Sequence, residues 1–283
     1  MIIKAPVAND RMAPVATAAR EPSPLAFSRF DPSGATLPDD DCRLGPFDVD
    51  VWPFSLAVTH ADVDAWEREL DDEERRSAVR FRMRFDRNAY IVAHAVLRRV
   101  LGRYTGVAPR ELRFGRAPGG KPLLAGVGSG TLQFNLAHCS GAALIAVTRV
   151  AEVGVDIEAA RDNVDPLSIA TRFFTDAEHQ AIFRAEDRNT AFFRHWVAKE
   201  AVVKAVGAGL ASPLDAFVVQ FEASGDHASV RWIAPCSGHD ISRVHLLPTP
   251  PGWHAALALR SALKGRIRIL TPRRGDGASF ESL

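Results

Sequence analysis

The sequence predicts a mixed α/β (α+β) fold with two similar halves, and three observations lead to this prediction. Apolar residues recur with helical spacing over residues 62–106, and four short strand-like runs separated by Gly-containing turns follow them up to residue 160. The same order of helices and then strands recurs over residues 161–262. We therefore expect one half at 47–160 and the other at 161–262.

The composition is that of an ordinary soluble globular protein. The chain has 283 residues, of which 47% are hydrophobic and 24% charged, and its formal net charge is +1 at pH 7. This near-neutral balance predicts no nucleic-acid partner, and the absence of a run of about 18 apolar residues predicts no membrane partner. Three widely spaced cysteines, Cys42, Cys139 and Cys236, favour a reducing compartment, so we expect a cytoplasmic protein.

The two ends of the chain differ from its centre. Residues 1–46 are rich in Pro, Ala, Ser and Asp without a sustained period, which predicts a flexible leader. They also lack the apolar core of a signal peptide. Residues 263–283 are basic and contain Gly, which predicts a fraying tail.

Local signals place the main elements. In the first half, Ala89, Val92, Val96 and Val100 form the apolar stripe of a long helix. In the second half, Thr175 and Glu178 have the spacing of a capping box at a helix start. A further helix, "NTAFFRHWVAKEAVVKAVGAG", ends at Gly207.

The stretch "GVDIE" reads as a buried strand that carries two carboxylates. Side chains two apart in a strand share a face, so Asp156 and Glu158 project together while Val155 and Ile157 point into the core. Two neighbouring anions repel and need a neutralising group. The alternatives are a strand end that emerges into water and a site for a hard metal ion such as Mg²⁺.

The helix "FRHWVAKEAVVKAVG" offers a third carboxylate. Glu200 and Lys204 lie four residues apart on one helical face, with Trp196 one turn earlier. A solvent-exposed Glu-to-Lys pair is the structural alternative. The strongly apolar remainder of the helix leaves these charges little freedom to face bulk water.

Two further segments carry candidate anion-binding side chains. "GRAPGGKP" resembles a phosphate loop until Pro122, which replaces the required Ser or Thr, so Lys121 lies in a turn that either presents it to an anion or leaves it solvated. In "FNLAHCS", adjacent residues of a strand face opposite sides, which argues against a His138–Cys139 nucleophile pair. His138 itself is either a core histidine or an anion donor.

Six arginines are clustered before and at the start of the long helix. They form a solvated surface, an anion site for phosphate, or a docking surface for an acidic protein. A nucleic-acid binder lacks support because no aromatic platform is interleaved with them. The cluster consists of Arg75, Arg76, Arg80, Arg82, Arg84 and Arg87.

Taken together, Gly120-Lys121-Pro122, "FNLAHC", "GVDIE" and "FRHWVAKEAVVKAVGAGL" resemble the Sfp-like class of 4'-phosphopantetheinyl transferases. The resemblance covers most of residues 47–262. It implies two halves, each a small sheet packed with helices, with the active site between them. It also implies a Mg²⁺-dependent enzyme that moves phosphopantetheine from coenzyme A to a serine of an apo acyl or peptidyl carrier protein and releases adenosine 3',5'-bisphosphate. Two fused halves would let one chain complete a site alone, so we expect a monomer.

The resemblance also implies roles for individual residues. Asp156, Glu158 and Glu200 match the metal-binding carboxylates, and Glu200 matches the proposed general base. Lys204 matches the lysine that contacts the phosphates of coenzyme A and supports catalysis. The further coenzyme contacts are matched by Lys121 and His138. The arginines ahead of the long helix do not align cleanly with the family's usual positions, and Arg75, Arg80 or Arg87 are the candidates for contacts to the 3'-phosphate.

The chain departs from the family pattern at one motif. Ala137-His138-Cys139 stands where Ser-His-Ser is usual, which removes a hydroxyl worth on the order of 1 kcal/mol of coenzyme binding.

The alternative to a transferase is a catalytically silent module that binds coenzyme A or docks a carrier protein. The expected acceptors belong to secondary metabolism or fatty acid synthesis.

Overall fold

The structure is a computed structural model, and it describes most of the chain. The described residues are 25–28, 44–149, 151–207, 213–233, 241–260, 262 and 265–270. Cys42 and Cys236 lie outside these ranges. Most of the predicted leader and most of the predicted tail also lie outside them.

The described residues form six α-helices, two short 3-10 helices (Pro109–Glu111 and Leu214–Ala216) and eleven strands. The helices are α1 (His60–Glu67), α2 (Asp72–Val79), α3 (Arg84–Thr105), α4 (Pro166–Phe173), α5 (Asp176–Arg184) and α6 (Arg188–Val206). The strands are β1 (Val49–Ser55), β2 (Arg113–Arg116), β3 (Pro122–Ala125), β4 (Gln133–Cys139), β5 (Ala142–Thr148), β6 (Val153–Ala159), β7 (Phe217–Phe221), β8 (His227–Trp232), β9 (Arg243–Leu247), β10 (Trp253–Leu259) and β11 (Ile267–Ile269). A strand, three helices and further strands thus occur twice, which confirms the two similar halves.

Helix boundaries follow the sequence signals. The Thr175 side chain accepts a hydrogen bond from the Glu178 amide while the Glu178 carboxylate accepts one from the Thr175 amide, so the predicted capping box of α5 is confirmed. Gly106 and Gly207 have φ values of 70° and 73° and terminate α3 and α6. Glycine takes this left-handed conformation without the steric penalty of a Cβ.

The first half has a four-stranded sheet in the order β11-β1-β5-β4. β5 pairs antiparallel with both β1 and β4, and β11 pairs parallel with β1. Helices α1–α3 cover one face of this sheet, where Trp52, Trp66, Ile91 and Ile145 are buried together. The separate hairpin β2-β3 carries the turn that ends at Lys121.

The second half has a five-stranded antiparallel sheet in the order β6-β10-β9-β8-β7. Helix α6 packs on one face of it through Val197, Ala201 and Ala205 against Ala256 and Ala258. Small side chains on both elements allow the helix axis to approach the sheet closely. This contact fixes α6 relative to β6.

The two sheets share one apolar core between them, which includes Val51, Leu144, Val155 and Leu257. The layers therefore run helices, sheet, sheet, helices. The edge strands β4 and β6 lie side by side, and the Asn135 side-chain oxygen accepts a hydrogen bond of 2.9 Å from the Val155 amide. The two halves consequently meet along β4 and β6.

Three segments differ from the sequence-based interpretation. β6, placed by that interpretation in the first half at 47–160, pairs with β10 in the sheet of the second half. Leu25, within the predicted flexible leader, is buried and its amide donates to Pro248 O at 2.9 Å. Ile267–Ile269, within the predicted fraying tail, forms β11. The leader and tail segments carry too few residues to show a period, and β6 shows its alternation but not its partner strand.

No helix among the described residues combines the length and the apolar character needed to cross a membrane.

Candidate functional site

β6 turns its two carboxylates toward α6 because its first residues allow the helix to come close. A Cβ added to Gly154 would lie 2.0 Å from Ala201 O and 2.3 Å from the Ala205 amide nitrogen. Only a residue without a side chain fits there. Asp156 and Glu158 share the face of Gly154, whereas Val155 and Ile157 point into the core between the sheets, so the predicted alternation is confirmed.

Asp156 is buried against α6 rather than solvated, with 5% of its surface exposed. The Lys204 ammonium donates a hydrogen bond of 2.5 Å to Asp156 Oδ1. Asp156 Oδ2 is also buried and has no hydrogen-bond partner among the described residues. This oxygen is therefore a free acceptor held in place, and the interpretation of a strand end emerging into water is wrong for Asp156.

Glu200 lies one turn before Lys204 on α6 and completes a charge cluster with Asp156. Burial raises the pKa of Glu200, and the Asp156 carboxylate adds to the effect. Burial also raises the pKa of Asp156, although the Lys204 charge opposes it. For Lys204, burial alone would lower the pKa, but the surrounding carboxylates outweigh it, so the pKa of Lys204 is raised. Lys204 thus remains a cation.

Glu158 lies at the outer end of the same strand face. Arg161 donates to Glu158 Oε2 at 2.7 Å. Burial and the neighbouring Asp156 raise the pKa of Glu158 to about 7. A small cavity of about 50 Å³ adjoins it, lined by Glu158, Arg161, Val164, Ile169, Phe192, Phe193 and Trp196.

The three predicted metal-binding carboxylates are thus coupled electrostatically across β6 and α6. Within the described ranges, no three His, Cys, Asp or Glu side chains stand in a geometry that would hold a metal ion. The donor chemistry nevertheless fits a hard cation, because Asp156 Oδ2 is an unsatisfied buried oxygen and its neighbours are carboxylates. Lys204 and Arg161 are the present charge partners of Asp156 and Glu158.

His138 lies on β4, the strand beside β6 where the two halves meet. Burial is the main cause that lowers the pKa of His94 on α3 to about 4, and the His138 charge contributes to it. The His94 ring stacks on Tyr90 with ring centres 3.8 Å apart.

Cys139, the neighbour of His138, is a half-buried free thiol. Burial strongly raises the pKa of its thiol, and Glu158 and Asp156 add to the effect. A thiol held in its neutral form is a poor nucleophile. The exclusion of a His138–Cys139 pair agrees with this environment.

Lys121 is turned inward. Its ammonium is buried and donates to Val153 O at 2.8 Å and to Ala205 O at 3.4 Å. Burial lowers the pKa of Lys121 to about 8. Lys121 therefore links the β2-β3 hairpin of the first half to β6 and α6. The sequence suggested either a solvated lysine or a lysine that faces an anion, and this placement differs from both. The coenzyme contact implied by the resemblance stays a prediction.

The arginine cluster divides into paired and unpaired members. Arg75 donates to Glu67 O at 3.1 Å, and Arg87 donates to the Glu67 carboxylate at 2.9 Å. Arg80 is exposed at the end of α2. Their predicted contacts to the 3'-phosphate of coenzyme A stay predictions.

Sequence reasoning missed two groups at the site. Arg161 neutralises Glu158, and its spacing of three residues in "EAAR" is a signal that could have revealed it. Lys199, adjacent to Glu200, is fully buried and forms an ion pair of 2.9 Å with Glu178. This pair ties α5 to α6 on the side opposite Asp156. Nothing in the "AKE" stretch distinguishes the buried lysine from an exposed one.

A second cavity, of about 460 Å³, lies away from these residues. Its lining includes Arg194, His227, His245 and His254 and none of the carboxylates described above. Its lining comes from α6, from β8, β9 and β10 of the second sheet, and from β11 of the first. We assign no role in the site to it.

Comparisons with known proteins match both halves of the chain. Residues 152–258 match the model of the 4'-phosphopantetheinyl transferase superfamily, and residues 58–149 match that of the 4'-phosphopantetheinyl transferase N-terminal region. The chain is similar to the 4'-phosphopantetheinyl transferase HetI of Nostoc sp., with 33% identity over 58% of this chain and 70% of that protein. It is similar to the 4'-phosphopantetheinyl transferase psf-1 of Bacillus pumilus, with 30% identity over 80% of this chain and 94% of that protein.

One solved structure shows a weaker likeness. The holo-[acyl-carrier-protein] synthase of Thermotoga maritima matches 44% of this chain and 66% of its own, with 20% identity and a TM-score of 0.31. A likeness of this size adds nothing to the sequence matches. The two matched ranges of the family models meet just before β6, where the second sheet begins.

Proposed function

The chain belongs to the 4'-phosphopantetheinyl transferase superfamily, and on that premise we propose that it transfers the 4'-phosphopantetheine arm of coenzyme A to a serine of an apo acyl or peptidyl carrier protein. The second product is adenosine 3',5'-bisphosphate. One observation carries the proposal. Asp156 on β6 and Lys204 on α6 are joined at 2.5 Å, with Glu200 beside them and Asp156 Oδ2 unsatisfied.

The proposed reaction is a displacement at phosphorus. The serine Oγ of the carrier forms a bond to the β-phosphorus of coenzyme A. The bond from that phosphorus to the bridging oxygen breaks, and its electron pair leaves with the 5'-phosphate of adenosine 3',5'-bisphosphate. Negative charge grows on the diphosphate oxygens during this step, and Lys204 is a partly exposed cation that can stabilise it. His138 is the proposed second contact to the phosphates.

Glu200 is the proposed acceptor of the serine proton. Burial and Asp156 raise the pKa of Glu200, which makes its carboxylate a better base than a solvated glutamate. A carboxylate with this property beside a cation that binds phosphate suits proton transfer during attack. The serine proton therefore moves to Glu200 as the new bond forms.

We include Mg²⁺ in the proposal, with Asp156, Glu158 and Glu200 as the residues that would hold it. Oxygen ligands suit this ion, and the unsatisfied Asp156 Oδ2 supports the assignment. When bound, Mg²⁺ supplies positive charge to the diphosphate. The chain's own residues orient the substrate and take the proton.

Two features support a monomeric, cytoplasmic enzyme. The proposed site draws on β4 of the first half and on β6 and α6 of the second, so one chain supplies all of its groups. Cys139 is a free thiol, which suits a reducing compartment. The compartment and the oligomeric state are parts of the proposal.

The test is direct. The protein is mixed with coenzyme A, Mg²⁺ and an apo carrier protein, and the carrier is analysed by intact mass. We expect the mass of one phosphopantetheine arm to be added to the carrier but not to its serine-to-alanine variant. The Glu200→Gln protein is the matched inactive control. If coenzyme A binds and no tested carrier gains mass, the chain is a silent coenzyme A-binding module and the proposal is wrong.

A further inference from the structure

The turn between α2 and α3 exposes an unusual mixture of side chains. Three large apolar residues in residues 79–85, here called the docking segment, are mostly solvent-exposed: Val79 at 70%, Met83 at 65% and Phe85 at 58%. Arginines occupy positions 80, 82 and 84 between them, and all three are exposed. Exposed apolar groups in a cluster mark interaction sites more often than isolated ones do.

The arginines of the docking segment are not used inside the protein. Arg75 and Arg87, on either side of it, pair with Asp72 and Glu67. No comparable ion pair with another described residue involves the arginines at 80, 82 and 84. The segment therefore presents three uncompensated positive charges to the surroundings.

The residues at the end of the docking segment do not stabilise the N-terminus of α3. Met83 occupies the N-cap position and makes no side-chain cap hydrogen bond. Arg84 follows at the first helical position, where the positive end of the helix dipole disfavours a cation. By contrast α2 begins with Asp71 and a complete capping box. Contact with a partner explains residues that helix stability disfavours.

The docking segment lies on the side of α3 that leads to the site. Phe81 packs on Tyr90 with ring centres 5.3 Å apart, and Tyr90 stacks on His94. His138 on β4 is near enough for its charge to contribute to the lowered pKa of His94. Ten residues of helix separate Arg84 from His94, about 15 Å at 1.5 Å per residue. A small protein domain bound at the segment is wide enough to reach His138.

We propose that the docking segment is the surface on which the acceptor carrier protein binds, through an acidic face that surrounds an apolar patch. The proposal rests on the proposed function for the identity of the partner. Its own basis is charge complementarity together with the exposed apolar groups. A phosphate ion alone would use the arginines and leave Val79, Met83 and Phe85 without a role.

The experiment compares two double variants. Arg82→Glu with Arg84→Glu reverses the charge, and Met83→Ser with Phe85→Ser removes the apolar surface. The matched control is Arg231→Glu with Ile233→Ser, which changes an exposed arginine and an exposed isoleucine on and next to β8. Thermal unfolding of every variant confirms that it folds.

Two measurements are made for each protein. Steady-state transfer gives KM separately for coenzyme A and for the carrier, with one strongly acidic and one near-neutral apo carrier. Binding to the serine-to-alanine carrier, at low and high salt, gives an affinity that does not depend on transfer. The second measurement keeps the docking proposal testable if no transfer occurs.

We expect charge reversal to raise KM and weaken binding for the acidic carrier by about 10-fold or more, with KM for coenzyme A unchanged. The effect shrinks at high salt because the charges are screened over about 8 Å at physiological ionic strength. The Met83→Ser with Phe85→Ser variant should weaken binding to both carriers, and the control variant should weaken binding to neither.

Other outcomes would overturn the docking proposal. Unchanged carrier affinity in both double variants would exclude the segment as a docking surface. A rise in KM for coenzyme A alone would make it a phosphate site. If the double variants lose binding to vesicles of anionic phospholipid and still bind the carrier, the docking segment is a membrane contact. Absence of transfer in the unmodified protein would instead refute the proposed function, whatever the binding data show.

Discussion

The Lys204 ammonium lies 2.5 Å from Asp156 Oδ1, which joins the end of α6 to the middle of β6. This contact neutralises only one oxygen of a buried carboxylate. The other oxygen, Glu158 and Glu200 add further negative charge to the cluster. Negative charge therefore exceeds positive charge unless Glu158 and Glu200, whose pKa values are raised, bind protons or a cation. The predictions below follow from that imbalance and from the packing that enforces it.

Lys204→Met should lower transfer by about 100-fold or more, because the cation proposed to stabilise the diphosphate is lost. Lys204→Arg retains the charge and should lose much less. Steady-state kcat/KM for coenzyme A measures both. Equal losses in the two variants would show that side-chain shape, not charge, is what matters at this position.

Glu200→Gln should abolish transfer without destabilising the fold. The amide cannot accept the serine proton, and it removes the repulsion from Asp156 that, together with burial, raises the pKa of Glu200. The free energy of unfolding should stay equal or increase. Urea denaturation and intact-mass transfer assays on the same preparation check the two halves of this prediction. A large drop in stability would mean that Glu200 has a structural role.

Mg²⁺ should stabilise the protein in the absence of any substrate. A ligand that binds only the folded state at 100 times its Kd adds about 2.7 kcal/mol, so the thermal midpoint should rise with Mg²⁺. Asp156→Asn should remove this rise, since it replaces the carboxylate that holds the unsatisfied oxygen. Asp72→Asn, which changes an exposed carboxylate, is the control and should leave the rise intact. An equal rise in both variants would place the ion elsewhere.

Lys121 should make stability increase with pH above about 8. Its pKa is about 8 in the folded protein against an ordinary value of 10.5, so between these values the unfolded chain binds the extra proton. Stability then rises with pH across this window, and the gap corresponds to about 3 kcal/mol. Lys121→Met should lose this rise while Arg116→Met, at an exposed neighbour, keeps it. Parallel pH curves for Lys121→Met and the unmodified protein would contradict the buried position.

Much of the framework was predictable because it depends on local signals. The caps at Thr175 and Gly207, the stripe of α3 and the alternation in "GVDIE" each follow from neighbouring residues. The pairing of β6 with β10 depends on residues about one hundred positions apart, and no local pattern specifies it. The local pattern therefore predicts the strand β6 but not that it pairs with β10 in the second sheet.

The site was predictable to a similar extent. Residue types and family motifs indicated Asp156, Glu158, Glu200 and Lys204, and these are brought together. The direction of the Lys121 side chain was not predictable, because a Gly-rich turn leaves a lysine free to point either way. Tertiary contacts with Val153 and Ala205 decide it.

Gly154→Ala tests whether the close approach of β6 and α6 sets the site. The new Cβ would lie 2.0 Å from Ala201 O, a backbone atom that cannot rotate away, so the strand and the helix must separate. Overpacking of this kind costs about 1–3 kcal/mol or more, and any separation lengthens the contact between Lys204 and Asp156.

We therefore expect Gly154→Ala to lower both the thermal midpoint and kcat, with transfer still reduced at temperatures where the variant is fully folded. Gly115→Ala is the matched control, because a Cβ there meets nothing within 4 Å and should change neither quantity. If Gly154→Ala folds normally and transfers at the normal rate, the spacing between β6 and α6 does not control the charge cluster. A loss of stability with normal kcat below the midpoint would show that this glycine serves packing alone.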